Sequence, residues 1–580
     1  MDMKNKIMIN IKESIINDIY NIFNLYKINI IKKKIILRES KLFGDYKIDG
    51  IFNILKNISN KDILLNKIIE KIKKNKFIEK VILINNFINI YLSNEYIENN
   101  ILNMLCNKFN INKKINTNTI VIDYSSPNMA KELHIGHIRS TFIGDSISNI
   151  LKFIGNKVIK VSHIGDWGIN FGMIIYEFMI NGFNEYSDIS IYDIEKLYIK
   201  SRIKYLNDKN FNKNSNIIFK KLQDKNTYIT NIWNKIIKIS IMNILRIYKI
   251  MNISLKLNNI IGESYYQKFI PEIIDDLTNK NILKEYNGSK IIFLKKFKNK
   301  ENKIMGIILQ KKDGTYLYSS TEIASIKYRL NILKANKIIY YVDSRQSDHI
   351  KFSYEISKIA GYIPKNSYIE HHIFGMILNK DNKPFKTRDG DLLKLIDIIK
   401  EVKYKIKKDL KYKIKCKRKI NNIVNNLSIG SIKYFELSKN RFNNYIFKID
   451  NIISINKNTF FYIQYTYIRI CSLINKYKIK NKKNISDLKV EFKIYNKYER
   501  DLAINIINFE EKIILSGNNG LPNILCDYIY MISTKFSIFY EKCKILETNT
   551  INSKLNLIIL TSKIIKISLN LLGIKTLNKI

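Results

Sequence analysis

Proline, histidine and cysteine are scarce in this 580-residue chain, at five, six and five residues respectively. The cysteines, Cys106, Cys416, Cys471, Cys526 and Cys543, are odd in number and never form a Cys-x-x-Cys pair. That excludes a zinc ribbon and argues against a disulfide framework; buried free thiols in a reducing compartment are expected instead. Acidic residues are also short, 51 against 99 Lys and Arg, for a formal net charge of +48. Such a surface draws in polyanions and speeds encounter with nucleic acid. The same excess follows if lysine has drifted upward together with isoleucine and asparagine, leaving solvated charged faces. No run of about 18 apolar residues occurs, so no membrane span is predicted. The opening MDMKNKIMINIKESIINDIY is broken by charged and amide side chains and lacks the apolar core of a signal peptide. A cytoplasmic protein is expected.

A hydrophobic fraction of 46%, with 12% aromatic, supports sizeable packed cores, and the length exceeds what one core can organise. Residues 1 to 115 read as a small α+β module, with a helical start, the turn Phe43-Gly-Asp-Tyr46 and an apolar strand from Phe87 to Leu92. From Ile120 the pattern becomes strand, helix, strand: Ile120 to Tyr124, a helix whose apolar face runs from Ile138 to Ile154 and stops at Gly155, then Val158 to Val161. That is the unit of a doubly wound parallel sheet of Rossmann type, whose ligand lies at the carboxyl ends of the strands. A helical insertion is predicted over about 180–290. The sheet is predicted to resume with Tyr316 to Tyr318, followed by a helix to Leu333, a strand from Ile338 to Val342, a helix to Gly361 and a strand from Tyr368 to Met376. Residues 396–455 read as a helical connecting segment and 456–580 as an all-α domain. No repeat of fixed period is present.

All six histidines, His134, His137, His163, His349, His371 and His372, fall between residues 134 and 372. His134 and His137 stand three apart at the start of the helix after the first strand. Both therefore project near a helix N-terminus, where unpaired N–H groups and the dipole favour an anion. Gly136 between them lets a ligand approach the backbone. Such a site suits nucleotide phosphates, with imidazoles donating to charge that develops during an in-line displacement. Either histidine by itself would read as a cap or a core residue.

His134-Ile-Gly-His137 matches the HIGH signature of class I aminoacyl-tRNA synthetases. The longer run Asp123-Tyr-Ser-Ser-Pro-Asn-Met-Ala-Lys131, with His163-Ile-Gly-Asp-Trp-Gly168, resembles the bacterial arginyl-tRNA synthetases in particular. Phe43-Gly-Asp-Tyr46, Glu370-His-His-Ile-Phe-Gly-Met376, Lys383-Pro-Phe-Lys-Thr-Arg388 and Tyr462-Ile-Gln-Tyr-Thr-Tyr-Ile-Arg469 extend the resemblance over the chain. It implies a tRNA-binding N-terminal domain, a Rossmann-type catalytic domain and an anticodon-binding helical domain. It also implies two-step chemistry: L-arginine attacks the α-phosphate of ATP, carried with Mg2+, and the adenylate is passed to the 3′ end of tRNA(Arg). His134, Gly136 and His137 are then catalytic. The loop with Lys383 and Lys386 stands where most of the class has KMSKS, and Lys131 takes the role of the missing lysine, as a mobile charge beside the helix start. Asn128, Tyr318, Glu322 and Gln346 correspond to arginine-binding positions, with Asp123 and Ser125 nearby.

The family usually has Asp where Glu322 stands, and Ser319-x-x-Glu322 is also a capping-box spacing. Tyr462, Gln464, Tyr465 and Arg469 combine rings and hydrogen-bonding groups of the kind that read unstacked bases, although alternating aromatics on a helix also build cores. Trp167 reads as packing, Asp166 has either role, and His371 and His372 either touch adenine or finish the sheet. No resident metal site is predicted from the spacing. A monomer is expected. Two rivals remain: a decayed synthetase that only holds tRNA, and a nucleotidylyltransferase that shares HIGH.

Overall fold

A computed structural model describes residues 11–28, 35–40, 43–56, 58, 60–106, 118–298, 302–343, 346–385, 393–410, 417–454, 458–482, 484 and 487–579. The N-terminal part is α+β. Helix α1 (Ile11–Leu25) and helices α2 (Lys61–Lys73) and α3 (Asn94–Cys106) accompany an antiparallel sheet of β1 (Ile36–Glu39), β2 (Tyr46–Asp49), β3 (Ile78–Ile84) and β4 (Phe87–Leu92), in the order β1-β2-β4-β3. The Phe43–Tyr46 turn has a structural explanation. Gly44 sits at φ 76° with its α-carbon against β4, where a Cβ would lie 2.8 Å from the Ile90 carbonyl oxygen. Asp45 then takes a bidentate contact from Arg500, at 2.8 and 2.7 Å, which docks this domain on the C-terminal helices.

The central sheet has five parallel strands: β5 (Thr119–Tyr124), β6 (Lys157–Ile164), β7 (Ile260–Gly262), β11 (Lys337–Tyr341) and β12 (Tyr368–His371), in the order β12-β11-β5-β6-β7. β5 is buried on both faces, Asp123 near its carboxyl end included. Helix α4 (Ile138–Phe153) packs tightly on it through Gly144, where a Cβ would fall 2.3 Å from that of Tyr124. The chain builds outward from β5 in both directions, so the topological switch lies between β5 and β11. In such sheets the ligand crevice opens at the carboxyl ends of those two strands.

Helices α5 (Ile169–Ile180), α6 (Ile191–Asn207), α7 (Lys209–Gln223) and α8 (Thr227–Ile250) form the insertion. The expected helical stretch to 290 is corrected at its far end. β7 returns to the sheet at residue 260, and after α9 (Ile270–Asn279) a three-stranded antiparallel sheet follows, of β8 (Lys284–Tyr286), β9 (Ser289–Lys298) and β10 (Ile304–Gln310). A three-residue strand is too short to display a period, and the lysines of β9 on its exposed face break its apolar alternation. Tyr316–Tyr318 is also not a strand. Tyr316 makes an isolated bridge to Gln310, and Tyr318 opens α10 (Tyr318–Lys327).

After α11 (Ser347–Ile359), β12 ends at His371 rather than at Met376. The following residues turn away because Gly375 packs against the Asn443 backbone, where a Cβ would meet atoms at 2.6 Å. Beyond this point the described residues are helical, in α12 (Leu395–Leu410), α13 (Lys417–Leu437), α14 (Phe460–Asn481), α15 (Lys497–Ile507), α16 (Phe509–Asn519), α17 (Asn523–Lys542) and α18 (Ile551–Leu571), with a one-turn helix at Asp450–Ile453. A two-residue parallel pair, Ile377–Leu378 with Tyr445–Ile446, is the exception. No helix among the described residues is long and apolar enough to cross a membrane.

Candidate active site

At the carboxyl end of β5 the backbone leaves the sheet through an unusual turn. Ser125, Ser126 and Ala130 all take positive φ, at 70°, 40° and 65°. Non-glycine residues there are strained and persist only where their surroundings hold them. Ser125 is held by Thr141 and Tyr248, whose hydroxyls bond its Oγ at 2.8 and 2.6 Å, and its N–H donates to Ser140 Oγ at 2.8 Å. The turn delivers Asn128 into the open crevice, opposite Gly165; a Cβ on that glycine would sit 2.3 Å from the Asn128 amide oxygen.

His134 and His137 stand at the lip of α4. The Gly136 N–H donates to His134 Nδ1 at 3.1 Å, and the His134 N–H to His137 Nδ1 at 3.2 Å. Each Nδ1 is thereby an acceptor, so each ring, when neutral, carries its proton on Nε2 and offers that N–H outward. Burial, and then the neighbouring His134, push His137 well below the usual imidazole range, which keeps it neutral. Gly136 is required by the ring of His134, which folds over it; a Cβ would lie 2.9 Å from the ring carbon. The expectation of unpaired backbone amides here is corrected. The N–H groups of Ile135, Gly136 and His137 are all taken, by Leu393 O, His134 Nδ1 and His134 O. The side chains that border the crevice at this end are the two imidazoles.

The opposite end of the crevice is acidic. Asp123 is 2% exposed and is neutralised by buried Arg329, 2.7 Å away, and by the Ser126 hydroxyl at 2.6 Å. His163 Nδ1 lies 3.4 Å from the same guanidinium and 3.6 Å from Glu322 Oε1. Glu322 does not cap its helix, because the N-cap of α10 is Leu317, with no side-chain bond. Its carboxylate is left facing the cavity next to Tyr318. Glu263, just after β7, faces the same space, and burial, then Asp166 and Glu322, raise its carboxyl to about 8. These groups line one cavity of about 470 Å³ together with His134, Gly136 and His137.

Of the residues picked out by sequence, the cavity therefore gathers His134, Gly136, His137, Asp123, Ser125, Asn128, Tyr318, Glu322 and Gln346. Lys131 is outside it, its ammonium 4.0 Å from the Tyr198 ring centroid on α6. Lys383 lies on an exposed turn closed by Asn379, and Lys386 falls outside the described residues. Asp123 and Ser125 are spent on protein partners, so they shape the crevice rather than face a substrate freely. Sequence reading missed Glu263, Arg329 and the electrostatic place of His163. The sequence does signal one of them: Gly262-Glu263 follows a short apolar run at a strand end. Asp166 is an internal acceptor, bonded by the Ser264 N–H at 2.9 Å and its hydroxyl at 2.6 Å, and Trp167 packs edge-on against Trp233 and Phe219. His372 finishes the sheet, between the Tyr341 hydroxyl at 2.9 Å and Glu370 at 2.8 Å.

The family described as "tRNA synthetases class I (R), catalytic domain" matches residues 100–449, and "DALR anticodon binding domain" matches 463–580. The arginine–tRNA ligase of Wigglesworthia glossinidia brevipalpis is 46% identical, over 98% of this chain and all of that protein. That of Buchnera aphidicola subsp. Acyrthosiphon pisum (strain Tuc7) is 43% identical over the same shares. The chain belongs to the arginyl-tRNA synthetase family. Among solved structures, the Plasmodium falciparum arginyl-tRNA synthetase superposes with a TM-score of 0.84 at 29% identity, covering 98% of this chain and 99% of that one.

The helix that this family assignment places first in the anticodon-binding domain, α14, divides its polar residues between two faces. Tyr465 is 59% exposed and accepts a hydrogen bond from Arg469 at 2.9 Å; the Arg469 guanidinium also lies over Tyr465 and Tyr540, at 4.7 and 4.9 Å. Gln464 is instead buried, and both ends of its amide are taken by the Leu577 backbone, at 2.6 and 3.1 Å. It is corrected from a base-reading residue to a lock on the C-terminal tail. Tyr462 packs on Tyr530, its hydroxyl 3.3 Å from Ser537.

Proposed function

We propose that this chain activates L-arginine with ATP and transfers it to the 3′-terminal adenosine of tRNA(Arg). The observation that carries this is the polarity of the crevice. One end holds Glu322 and Glu263, a pair of carboxylates suited to a guanidinium; the other presents two Nε2–H donors. An arginine lying between them with its guanidinium at the acidic end directs its carboxylate towards a phosphate held at His134 and His137. Those imidazoles donate to the charge that grows on the α-phosphate as pyrophosphate leaves. The neutral His137 ring does this without a proton change. Asn128, Tyr318 and Gln346, exposed in the crevice, orient the ammonium and carboxyl groups.

Lys131 is parked on Tyr198 in the free enzyme and swings to the departing pyrophosphate, aided by Lys383 and Lys386 of the loop in the KMSKS position. Magnesium accompanies the phosphates of ATP, as their charge requires. Tyr465 and Arg469 serve the anticodon. Free thiols at Cys106, Cys471, Cys526 and Cys543 support a reducing, cytoplasmic setting, and we take the active form to be the monomer.

The test is ATP–pyrophosphate exchange with arginine and a panel of other amino acids, with and without tRNA. Exchange with arginine alone is expected, and Glu322→Gln should raise the KM for arginine by about tenfold for each 1.4 kcal/mol of lost charge pairing. Exchange with no amino acid, in folded protein that still binds tRNA, would revive the decayed-synthetase reading. AMP transfer without tRNA or amino acid would point to the nucleotidylyltransferase.

A further inference from the structure

A second cavity, of about 270 Å³, opens at the seam between α13 and the start of α14. Three observations converge on it. Thr459 is the N-cap of the 22-residue helix α14, yet its side chain makes no cap bond; its hydroxyl is buried and has no hydrogen-bond partner. A threonine in that position ordinarily accepts from an amide of the first turn. Ser431, on α13 and 1% exposed, likewise has an unpartnered hydroxyl, whereas Ser428 one turn earlier bonds back to the Val424 carbonyl at 2.6 Å. Lys439 lines the same cavity and forms no ion pair among the described residues. Its ammonium rests against the Phe435 carbonyl at 3.1 Å and the rings of Phe435 and Tyr445, at 3.3 and 4.9 Å, with Glu436 the acidic group that acts on it.

The cavity thus presents a helix N-terminus, two buried hydroxyls that lack acceptors and a cation whose acidic neighbour, Glu436, is already paired with Arg139 at 2.7 Å. The neighbouring side chains of Tyr434, Asn458 and Ser438 are already satisfied, the last by the Phe435 carbonyl at 3.2 Å. The Tyr434 hydroxyl is shared between the Asn458 amide oxygen and the Cys526 carbonyl, and Asn458 donates to Asp527 at 3.2 Å. Burial, offset only in part by the Glu436 carboxylate and reinforced by Arg139, lowers Lys439 to about 8.

We propose that this cavity is a binding site for a phosphate-class oxyanion. Ser431 and Thr459 donate to it, and the Lys439 ammonium supplies the opposing charge. Once bound, the anion bridges α13 and α14 and ties the catalytic part of the chain to the C-terminal helices. Its source is either free phosphate or pyrophosphate, the latter released by the activation reaction, or a backbone phosphate of bound tRNA.

The experiment is competitive acetylation of Lys439 in the full chain, read by mass spectrometry against the other lysines, with phosphate, pyrophosphate, tRNA or chloride at matched ionic strength. The local readout separates this site from the active-site crevice. Phosphate or pyrophosphate is expected to reduce Lys439 acetylation severalfold relative to chloride. The Ser431→Ala/Thr459→Val double variant should lose that protection while the remaining lysines react as before. Ser431→Ala alone, which leaves Thr459 unchanged at the start of α14, should lose part of it and serves if the double variant misfolds. Protection by tRNA alone, lost in the variants, would identify the source as a backbone phosphate. The proposal falls if no phosphate species protects better than chloride, or if protection persists undiminished in the variants, which would mean simple steric cover.

Discussion

The crevice at β5 and the surface of α14 use the same kinds of residue in opposite ways. In the crevice, charged groups are buried and held by one another: Arg329 is wholly enclosed, with Asp123 2.7 Å away and His163 and Glu322 beyond. On α14 the proposed anticodon pair is Tyr465, which stands in solvent, and Arg469, which is half-buried, while the amide that looks most like a base reader, Gln464, belongs to the core. Burial therefore accompanies the candidate site in one region and the core in the other. In the sheet, the topological switch creates a concave site in which polar groups must pair at short range. On a helix, only the face that packing leaves over is free to bind, and periodicity sorts the residues.

Removing Arg329 tests the buried network most severely. Arg329→Met leaves Asp123 enclosed without its counter-charge, which costs about 3–5 kcal/mol and should appear as a lower urea midpoint, with arginine activation lost. Arg329→Met/Asp123→Asn removes both charges and should recover much of the midpoint without restoring activity. If the single variant is as stable as the parent, the network is not a buried charge pair in solution. His137→Ala separates chemistry from stability in the same region. The kcat of exchange should fall about 10²–10³-fold, the usual effect of losing one preorganised donor, while the unfolding midpoint and the KM for arginine change little.

How far each region was legible follows from the same contrast. The β5–α4–β6 unit and the HIGH turn were readable because their information is local: a doubly buried strand, a glycine on which a histidine ring must fold, and a helix start within twenty residues. The partners of that turn were not, since Arg329 and Glu263 are distant in sequence and their neighbours exist only after the sheet is assembled. β7 escaped because three residues carry no period. The segment around Tyr316 was read as a strand because its alternating aromatics mimic one, although Tyr318 begins a helix. On α14 the sequence does not show which face each polar residue takes. Ile463, Tyr467 and Ile470 define the buried stripe, and Gln464 falls beside it, where only the path of the C-terminal tail shows that its amide is already spent.

Glu263 offers a subtler probe of the acidic end. Burial and its acidic neighbours raise its pKa to about 8, so in the free enzyme it is mostly protonated at pH 7. A guanidinium favours the ionised form, so arginine binding lowers that pKa and releases a proton. Arginine affinity should therefore rise as pH increases from about 6.5 and level off above about 8, approaching tenfold per pH unit on the steep part if the coupling is complete. Calorimetry in buffers of different ionisation enthalpy should show the released proton. Glu263→Gln should flatten the profile and abolish the release. A steep profile that survives the substitution would assign the titration to another group and leave Glu322 as the carboxylate that meets the guanidinium.

The smallest effects separate the two faces of α14. Gln464→Leu leaves the Leu577 N–H and carbonyl without partners, a loss of about 1–3 kcal/mol, visible in urea titration. Binding of tRNA below the unfolding transition should be unchanged, because the side chain never reaches solvent. Arg469→Ala should do the reverse. A surface substitution shifts stability by about 0.5 kcal/mol or less, whereas losing one phosphate contact lowers the slope of log affinity against log salt by about 1. If Arg469 stacks on an anticodon base through its platform of Tyr465 and Tyr540, affinity falls with the salt slope unchanged, and Tyr465→Ala should cost a comparable amount. A fall in tRNA affinity for Gln464→Leu in protein that remains folded would show that the C-terminal tail it holds is itself part of the tRNA surface.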